Sequence, residues 1–293
     1  MERKLFIYDS FTLEKFKGNP AGVVFDADEL TDIQMQNLAK ELGFPETVFI
    51  FFKSSDIIQV RFFTPKEEIN LCGHATIAYV TALIENKKFE LVNGINKIFV
   101  KTNLGILPII IEMESGEIKN IMMYQASPQI NRETIFSSKI IANLLGIEEK
   151  DIDDSIEIVK AYTGVWDLMI PVKTKDILSS LIPKMDEISK FSKENGIISF
   201  HVFTLTEDGA EARNLAPVVD IPEEAATGTS NGALSYYLYT LGLLQEGKIL
   251  KIKQGRSLNR DSEIFCKIIY ENKKLEVLVG GNAIKLLEGQ IDV

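Results

Sequence analysis

Two short stretches of this 293-residue chain combine residue types that can hold an anion or move a proton. The first, residues 61–79, reads RFFTPKEEINLCGHATIAY, with Cys72-Gly73-His74 at its centre and an apolar, helix-like run behind it. A small-residue turn feeding a helix leaves backbone N–H groups without intrahelical partners and sets the positive end of the helix dipole behind them. Such a turn holds carboxylates or phosphates. The second stretch, residues 212–244, repeats the plan. Arg213 precedes Pro217 by four residues, as Arg61 precedes Pro65, and an acidic loop follows each proline. Thr227-Gly228-Thr229 then stands where Cys72-Gly73-His74 stood. A repeat of this kind implies two similar halves, each aiming a helix start at the crevice between them.

Titratable residues around these turns are few. His74 sits beside Gly73 and reads either as a structural residue of the helix start or as a group that contacts substrate or relays protons. His201, inside an apolar strand pattern, reads as a satisfied core residue. Glu46 follows Phe44-Pro45 at a helix-to-strand junction, either as a solvated turn carboxylate or as a functional group at a sheet rim. Asp9 and Asn19 lie in turns that could border the same site. A Cys72–His74 dyad is disfavoured, because residues two apart at a helix start point to different faces. Cys72, His74, His201 and Cys266 lack zinc-ligand spacing, so no metal is expected. Neither a GxGxxG nor a Walker sequence is present, so no nucleotide cofactor is expected either.

Composition bounds the rest. A net charge of −10 argues against a nucleic-acid partner, since phosphate binding needs a basic face. Two cysteines make no disulfide framework and suit a reducing cytoplasm. The N-terminus carries no apolar signal-peptide core, and apolar runs such as Ile109-Ile110-Ile111 are far short of a membrane span. Chain length suggests two domains of about 150 residues.

In chain order, strands are expected at residues 4–8, 21–25 and 47–52. A helix between the last two opens on a Thr31/Gln34 capping box and closes at Gly43. Short strands follow at 97–101, 105–113 and 118–125, with polar turn residues at 113–119 marking the expected boundary. Beyond it come helices near 137–145, 175–181 and 184–193, with an acidic solvated loop at 148–154. Strands are expected at 156–161, 167–172, 196–205 and 210–215. The expected domains are residues 1–115, completed by residues 280–293, and residues 116–279.

The motifs Gly18-Asn19-Pro20-Ala21, Pro45-Glu46-Thr47-Val48-Phe49, Arg61-Phe62-Phe63-Thr64-Pro65, Leu71-Cys72-Gly73-His74-Ala75-Thr76 and Ala226-Thr227-Gly228-Thr229 occur together and in order. As a set they resemble the PhzF-like isomerases, named for phenazine biosynthesis and built on the diaminopimelate epimerase fold. The resemblance implies an α+β chain of two similar halves, each a curved mixed sheet wrapped around a central helix, with the site in the cleft between them. It implies a cytoplasmic homodimer without metal or organic cofactor, and it makes Glu46 the acid–base residue. The family pattern Glu-Asp-Pro-Ala-Thr-Gly-Ser is here Glu223-Glu224-Ala225-Ala226-Thr227-Gly228-Thr229. Glu224 thus replaces an Asp, one methylene longer, and Thr229 replaces a Ser.

Epimerases of this fold place a cysteine before each glycine and use one thiol on each face of the substrate. Here Cys72 fills the first position, but Thr227 fills the second, and a threonine hydroxyl is too weakly acidic for the task. A single carboxylate at Glu46 suits a different reaction, taking a proton from carbon and returning it on the same face so that a double bond moves. His74 and Glu224 are expected to assist, Glu224 by holding substrate or by raising the pKa of Glu46. Asn19, Cys72, Gly73, Thr227, Gly228 and Thr229 are the expected substrate contacts, their N–H groups stabilising carboxylate or enolate charge. The expected function is a cofactor-independent isomerase of a small carboxylate-bearing metabolite. The alternatives are an amino-acid racemase or epimerase using Cys72, and a non-catalytic small-molecule binding protein.

Overall fold

A computed structural model describes residues 2–52 and 57–293. The chain is α+β and divides into two compact units, Met1–Met123 with Gly280–Val293, and Tyr124–Val279. The polar turn at Ser115-Gly116, expected to end the first domain, is instead a hairpin turn inside the first unit. There β7 (Gly105–Glu114) pairs antiparallel with β8 (Glu117–Tyr124), so unit 1 extends to the end of that hairpin. Its polar residues signal a reversal of the chain and not a change of domain.

In unit 1, β1 (Glu2–Ser10) lies between β2 (Asn19–Val24) and the final strand β18 (Ala283–Asp292), antiparallel to both. β2 runs parallel to β3 (Glu46–Phe51), and β3 antiparallel to β4 (Gln59–Phe63). β4 pairs with the short β5 (Glu68–Ile69) and, in parallel, with β6 (Gly94–Thr102), which forms a hairpin with β7. Helix α1 (Asp32–Leu42) starts on the expected capping box, with Thr31 Oγ1 accepting from Gln34 N–H and Gln34 Oε1 accepting from Thr31 N–H. It ends at Gly43, left-handed at φ 68°, which turns the chain toward β3, whose first residue, Glu46, lies three positions on.

Strand alternation then decides what meets what. Leu5, Val24, Phe49 and Phe63 face α1 with Met35, Leu38 and Ala39. The opposite face carries Phe6, Tyr8, Val48 and Phe62 and is covered by helix α2 (Gly73–Glu85). Phe62 lies on Tyr79 of α2, and Tyr8 donates to Glu85 at its far end. Residues His74 through Leu83 are all buried, so α2 is a central helix enclosed by its sheet. Each buried Ile, Leu or Val on it contributes about 1.5–3 kcal/mol, which fixes where its first turn sits. Glu46 and Ser10 share the parity of Val48 and Tyr8, and their side chains therefore emerge on the α2 face.

Unit 2 repeats this plan. β9 (Gln129–Asn131) and β10 (Val159–Tyr162) pair antiparallel, as do β10 and β11 (Trp166–Pro171). β11 runs parallel to β12 (Ser199–Thr206), which pairs antiparallel with β13 (Gly209–Ala216). β13 takes the short β14 (Ile221–Glu224) and, in parallel, β15 (Ile249–Gln254), itself antiparallel to β16 (Ser262–Glu271). β17 (Lys274–Gly281) leads the chain back into unit 1. Helices α3 (Ser138–Leu145), α4 (Lys175–Ser180) and α5 (Met185–Asn195) cover one face, packing Ile141, Leu178 and Ile188 on Leu168, Phe200 and Val202. Helix α6 (Gly228–Thr240) covers the other. The supposed loop at 148–154 holds a short turn of helix, and its Ile152 is buried and bridged to Val172.

The correspondence between units extends to single bonds. Arg61 grips Glu68 through Nε and Nη2 at 2.7 and 2.6 Å, and Arg213 grips Glu223 through the same atoms at 2.9 and 2.8 Å. Ser10 Oγ donates to His74 O at 2.7 Å, and Thr163 Oγ1 donates to Thr229 O at 2.7 Å. The repeat first visible in Arg-to-Pro spacing is a repeat of structure. Among the described residues no helix is long and apolar enough to cross a membrane.

Where the chain re-enters unit 1, Gly280 presses on backbone: a Cβ there would overlap the Ile121 carbonyl and stand 2.8 Å from Met122 Cα. Gly280→Ala is expected to lower stability by roughly 2 kcal/mol or more, read as a lower thermal midpoint. An unchanged midpoint would contradict this close approach.

Candidate active site

The first turn of α2 is built for exposure of its N–H groups. Cys72, the N-cap, is extended at φ −140°, ψ 127° and makes no side-chain cap bond, and no acidic residue occupies the first turn. The carbonyls around it are held: Thr76 Oγ1 donates to Cys72 O at 2.7 Å, and Ser10 holds His74 O. A Cβ added to Gly73 would meet nothing within 4 Å, so the space over the turn is open. The arrangement leaves orphan donors at a helix N-terminus, with its positive dipole end behind them.

Glu46, Cys72, His74 and Asn19 converge beside this turn. His74 Nε2 lies 2.9 Å from Glu46 Oε2, with His74 5% and Glu46 17% exposed. The contact is an ion pair when His74 is protonated. His74 Nδ1 lies 3.4 Å from Cys72 Sγ and 3.3 Å from Asn19 Nδ2. The expectation that Cys72 and His74 point apart is therefore overturned. It assumed helical geometry at both residues, whereas Cys72 is extended and its side chain swings back over the ring. Glu46, Cys72 and His74 also form a cluster of metal-ligating residue types, a set different from the four residues weighed for zinc in the sequence. His201 and Cys266, the partners considered from sequence, do not belong to it.

Burial alone pushes the Glu46 pKa up, but the charge of His74, with bonding from His74 and Cys72, outweighs it and holds Glu46 below the usual carboxylate value. Burial likewise works against charge on His74, yet Cys72 and Glu46 together raise its pKa well above the usual 6.5. Burial and the Glu46 charge push the Cys72 thiol up to about 11. A thiol at about 11 is neutral near pH 7, so Glu46 carries the negative charge that His74 answers. The directions of these shifts favour a charged Glu46, a protonated His74 and a neutral Cys72.

In unit 2, Thr227 is the N-cap of α6 and again makes no cap bond to the helix. Its hydroxyl donates to Glu224 Oε2 at 2.7 Å and accepts from Gln254 Nε2 at 3.1 Å. That hydroxyl is fully engaged. The methyl of Thr229, absent from the serine of the family pattern, lies against Gly164: a Cβ there would be 2.9 Å from Thr229 Cγ2. Gly164 makes room for the larger residue.

Behind this turn runs a polar chain that sequence reasoning reduced to one core histidine. Asn231 Nδ2 donates to Thr227 O and Gln254 Oε1, both at 2.8 Å, which makes its Oδ1 an acceptor. His201 Nε2 lies 3.1 Å from that oxygen. Burial lowers the His201 pKa to about 4, so the ring is neutral, protonated on Nε2, and Nδ1 accepts from Asn214 Nδ2 at 3.1 Å. Asn214 also reaches Ser199 and Ser230, and Ser199 donates to Asp167 Oδ1 at 2.7 Å. Register makes the comparison with unit 1 exact by residue. Phe49 pairs with Arg61 and Val202 with Arg213, so Ser199 stands where Glu46 does and Asp167 where Ala21 does. His201 takes the place of Val48, and Asn214 that of Phe62. Unit 2 thus braces its turn with a buried polar network where unit 1 has apolar core. Glu224, expected to raise the pKa of Glu46, does act on a carboxyl of its own unit: it adds to burial in raising Asp167. The visible hint was polar residues at core-parity positions of β11, β12 and β13.

The family model described as phenazine biosynthesis-like protein matches residues 8–289. An uncharacterized isomerase from Clostridium acetobutylicum is 35% identical, with 99% of each chain covered. A trans-2,3-dihydro-3-hydroxyanthranilate isomerase from Pseudomonas fluorescens is 26% identical, covering 97% of this chain and 98% of the relative. The crystal structure of a PhzF-family phenazine biosynthesis protein from Bacillus anthracis is 31% identical with a TM-score of 0.89, covering 100% of both chains.

Asp167 is fully buried with Oδ2 unpartnered, and burial raises its pKa from 3.8 to about 7. Between these values the unfolded chain releases this proton while the folded chain keeps it, so stability falls as pH rises from about 4 to 7 and then levels. Asp167→Asn removes this dependence. Its stability relative to the parent is expected to improve by up to about 4 kcal/mol across that window, measured by urea unfolding at several pH values. A gap that does not change with pH would refute the assignment.

Proposed function

The chain belongs to the phenazine biosynthesis-like protein family and is an isomerase, and from that premise we propose that Glu46 is its proton-transfer base. The observation that carries this reading is the buried carboxylate of Glu46, paired through Oε2 with His74 Nε2 at 2.9 Å beside an open helix start. The substrate in this reading is a small acid with a C–H activated by conjugation. Glu46 takes that proton, the C–H electron pair moves into the conjugated system as an enolate, and the same carboxyl returns the proton to another carbon. A double bond shifts, and no oxidant, reductant or cofactor enters the balance. Charge on the substrate's carboxylate and on the enolate falls to backbone N–H groups of Gly73 and His74. The matching turn of Gly228 and Thr229 is a second anion-holding element, oriented by Glu224, Thr227 and the network behind them.

His74 has two tasks here. As imidazolium it keeps Glu46 ionised despite burial, and it offsets the proton's arrival on Glu46 by staying within hydrogen-bonding reach. Cys72 Sγ, 3.4 Å from Nδ1, borders the ring on its other side. The racemase alternative needs a thiolate at Cys72 and an acid at Thr227. It meets a thiol pushed up to about 11 and a hydroxyl already donating to Glu224. We place the enzyme in the cytoplasm as a homodimer, on the family resemblance.

The test is solvent deuterium incorporation at carbon, with mass spectrometry on a panel of small unsaturated acids. The panel begins with trans-2,3-dihydro-3-hydroxyanthranilate, the compound in one relative's name. A compound that is isomerised should gain deuterium at carbon, and Glu46→Gln should lower its turnover by about 10²–10⁴-fold or more. Turnover without carbon exchange, or exchange that survives Glu46→Gln, would refute the role of Glu46.

A further inference from the structure

Gln254, the last residue of β15 and buried, reaches the start of α6 with both ends of its side-chain amide. Its Oε1 accepts from Thr227 N–H at 3.3 Å and from Asn231 Nδ2 at 2.8 Å. Its Nε2 donates to Glu224 O at 2.8 Å and to Thr227 Oγ1 at 3.1 Å. Two acceptor sites and two N–H groups are the full capacity of a glutamine amide. Backbone groups settle which end is which. Thr227 N–H can only donate and Glu224 O can only accept, so oxygen faces the first and nitrogen the second. Thr227 Oγ1 therefore receives an N–H, and its own proton goes to Glu224 Oε2 at 2.7 Å. We propose that Gln254 is a positioning residue for the reaction: it sets the direction of the Thr227 O–H and so holds Glu224 as a hydrogen-bonded carboxylate at the α6 turn. The bonds stand apart from the reaction assigned above; the effect on turnover rests on that reading.

Neighbouring groups hold the same segment. Ser262, opposite Gln254 in the β15–β16 register, donates through Oγ to Ala225 O at 2.9 Å. The carbonyls of Glu224 and Ala225 are thus both tied to the sheet. Unit 1 shows the frame without this device. Glu211 pairs with Lys253 as Gln59 pairs with Lys101, so Thr102 stands where Gln254 does. Thr102 donates to Gly105 O and accepts from Leu104 N–H, both at 3.1 Å, inside its own hairpin. It serves the β6–β7 turn, whereas Gln254 serves the helix start. The titratable groups of the network around Gln254 are Glu224 on β14, Asp167 on β11 and the neutral His201 on β12.

The isosteric Gln254→Glu separates steering from space-filling. Where Nε2 stood, the introduced carboxyl meets two acceptors, Glu224 O and Thr227 Oγ1, and keeps its proton. Carbon-13 NMR of labelled glutamate carboxyls should place its midpoint above about 6, against about 4.3 for a free side chain. Turnover is read as kcat/KM against pH, with a panel compound that the parent isomerises. Below the midpoint the hydroxyl stays on Glu224, and the variant should lie within about threefold of the parent. Above it the hydroxyl turns to the new carboxylate, and the variant should fall at least tenfold relative to the parent. With Thr227→Val in both proteins the fall should shrink below about threefold, which separates steering from the repulsion of the added charge. Gln254→Leu should be at least tenfold down at every pH. A midpoint near 4.3 would overturn the bonding pattern. A ratio to the parent that ignores pH, or a fall that persists in full without the Thr227 hydroxyl, would overturn the steering role. The assigned reaction fails separately, by carbon exchange that survives Glu46→Gln. Should Gln254→Leu fail to fold, the Gln254→Glu profiles decide.

Discussion

The electrostatics of the turn in unit 1 rest on one buried contact, between the carboxylate of Glu46 and the ring of His74. A carboxylate at this depth is costly, and burial by itself would protonate it. The imidazolium reverses that outcome only because it is fixed at 2.9 Å. Two features fix it. Strand alternation brings Glu46 out on the α2 face, and the burial of α2 sets the height of its first turn. Breaking such a pair by removing one partner commonly costs about 3–5 kcal/mol, because a lone charge is left in the core. The arrangement is therefore a poor choice for stability alone and a sensible one for holding a base ionised near neutral pH.

The two units show how one frame serves two ends. Both present an uncapped helix start after an Arg–Glu clamp, and both tie the second carbonyl of the turn to a hydroxyl, from the end of β1 in unit 1 and from just past β10 in unit 2. In unit 1 the polar groups stand at the turn itself, with Val48, Phe62 and Ala21 as apolar backing. In unit 2 the turn carries threonines, and the polar groups lie behind it, from Gln254 through Asn231, His201 and Asn214 to Ser199 and Asp167. That network leaves the neutral His201 with both nitrogens used, which suits rigidity and not proton exchange. Titratable side chains gather at the turn of unit 1, and a buried polar brace stands behind the turn of unit 2.

Much of this was legible in sequence. The Thr31/Gln34 capping box, the left-handed Gly43 and the Arg-to-Pro spacing are local signals, and each describes backbone that neighbours cannot easily override. The α+β class followed from the motifs that carry the family resemblance. What sequence concealed was side-chain convergence across strands. Glu46 and His74 are 28 positions apart in number, and only strand parity and helix height bring them together. The orientation of Cys72 depended on an extended N-cap that a helical reading misjudged. Strands β15 to β17 went unassigned, and the hairpin turn at Ser115-Gly116 was taken for a boundary, since turn chemistry is alike in both settings. His201 was correctly read as satisfied, but its partners lie on other strands and on α6.

Cys72 and Glu46 together favour a protonated His74. Nitrogen-15 NMR of the histidine rings reads this directly. The account predicts His74 doubly protonated at pH 7 in the parent and neutral in Glu46→Gln, with His201 neutral in both. A His74 ring already neutral at pH 7 in the parent, or unaltered by Glu46→Gln, would contradict it.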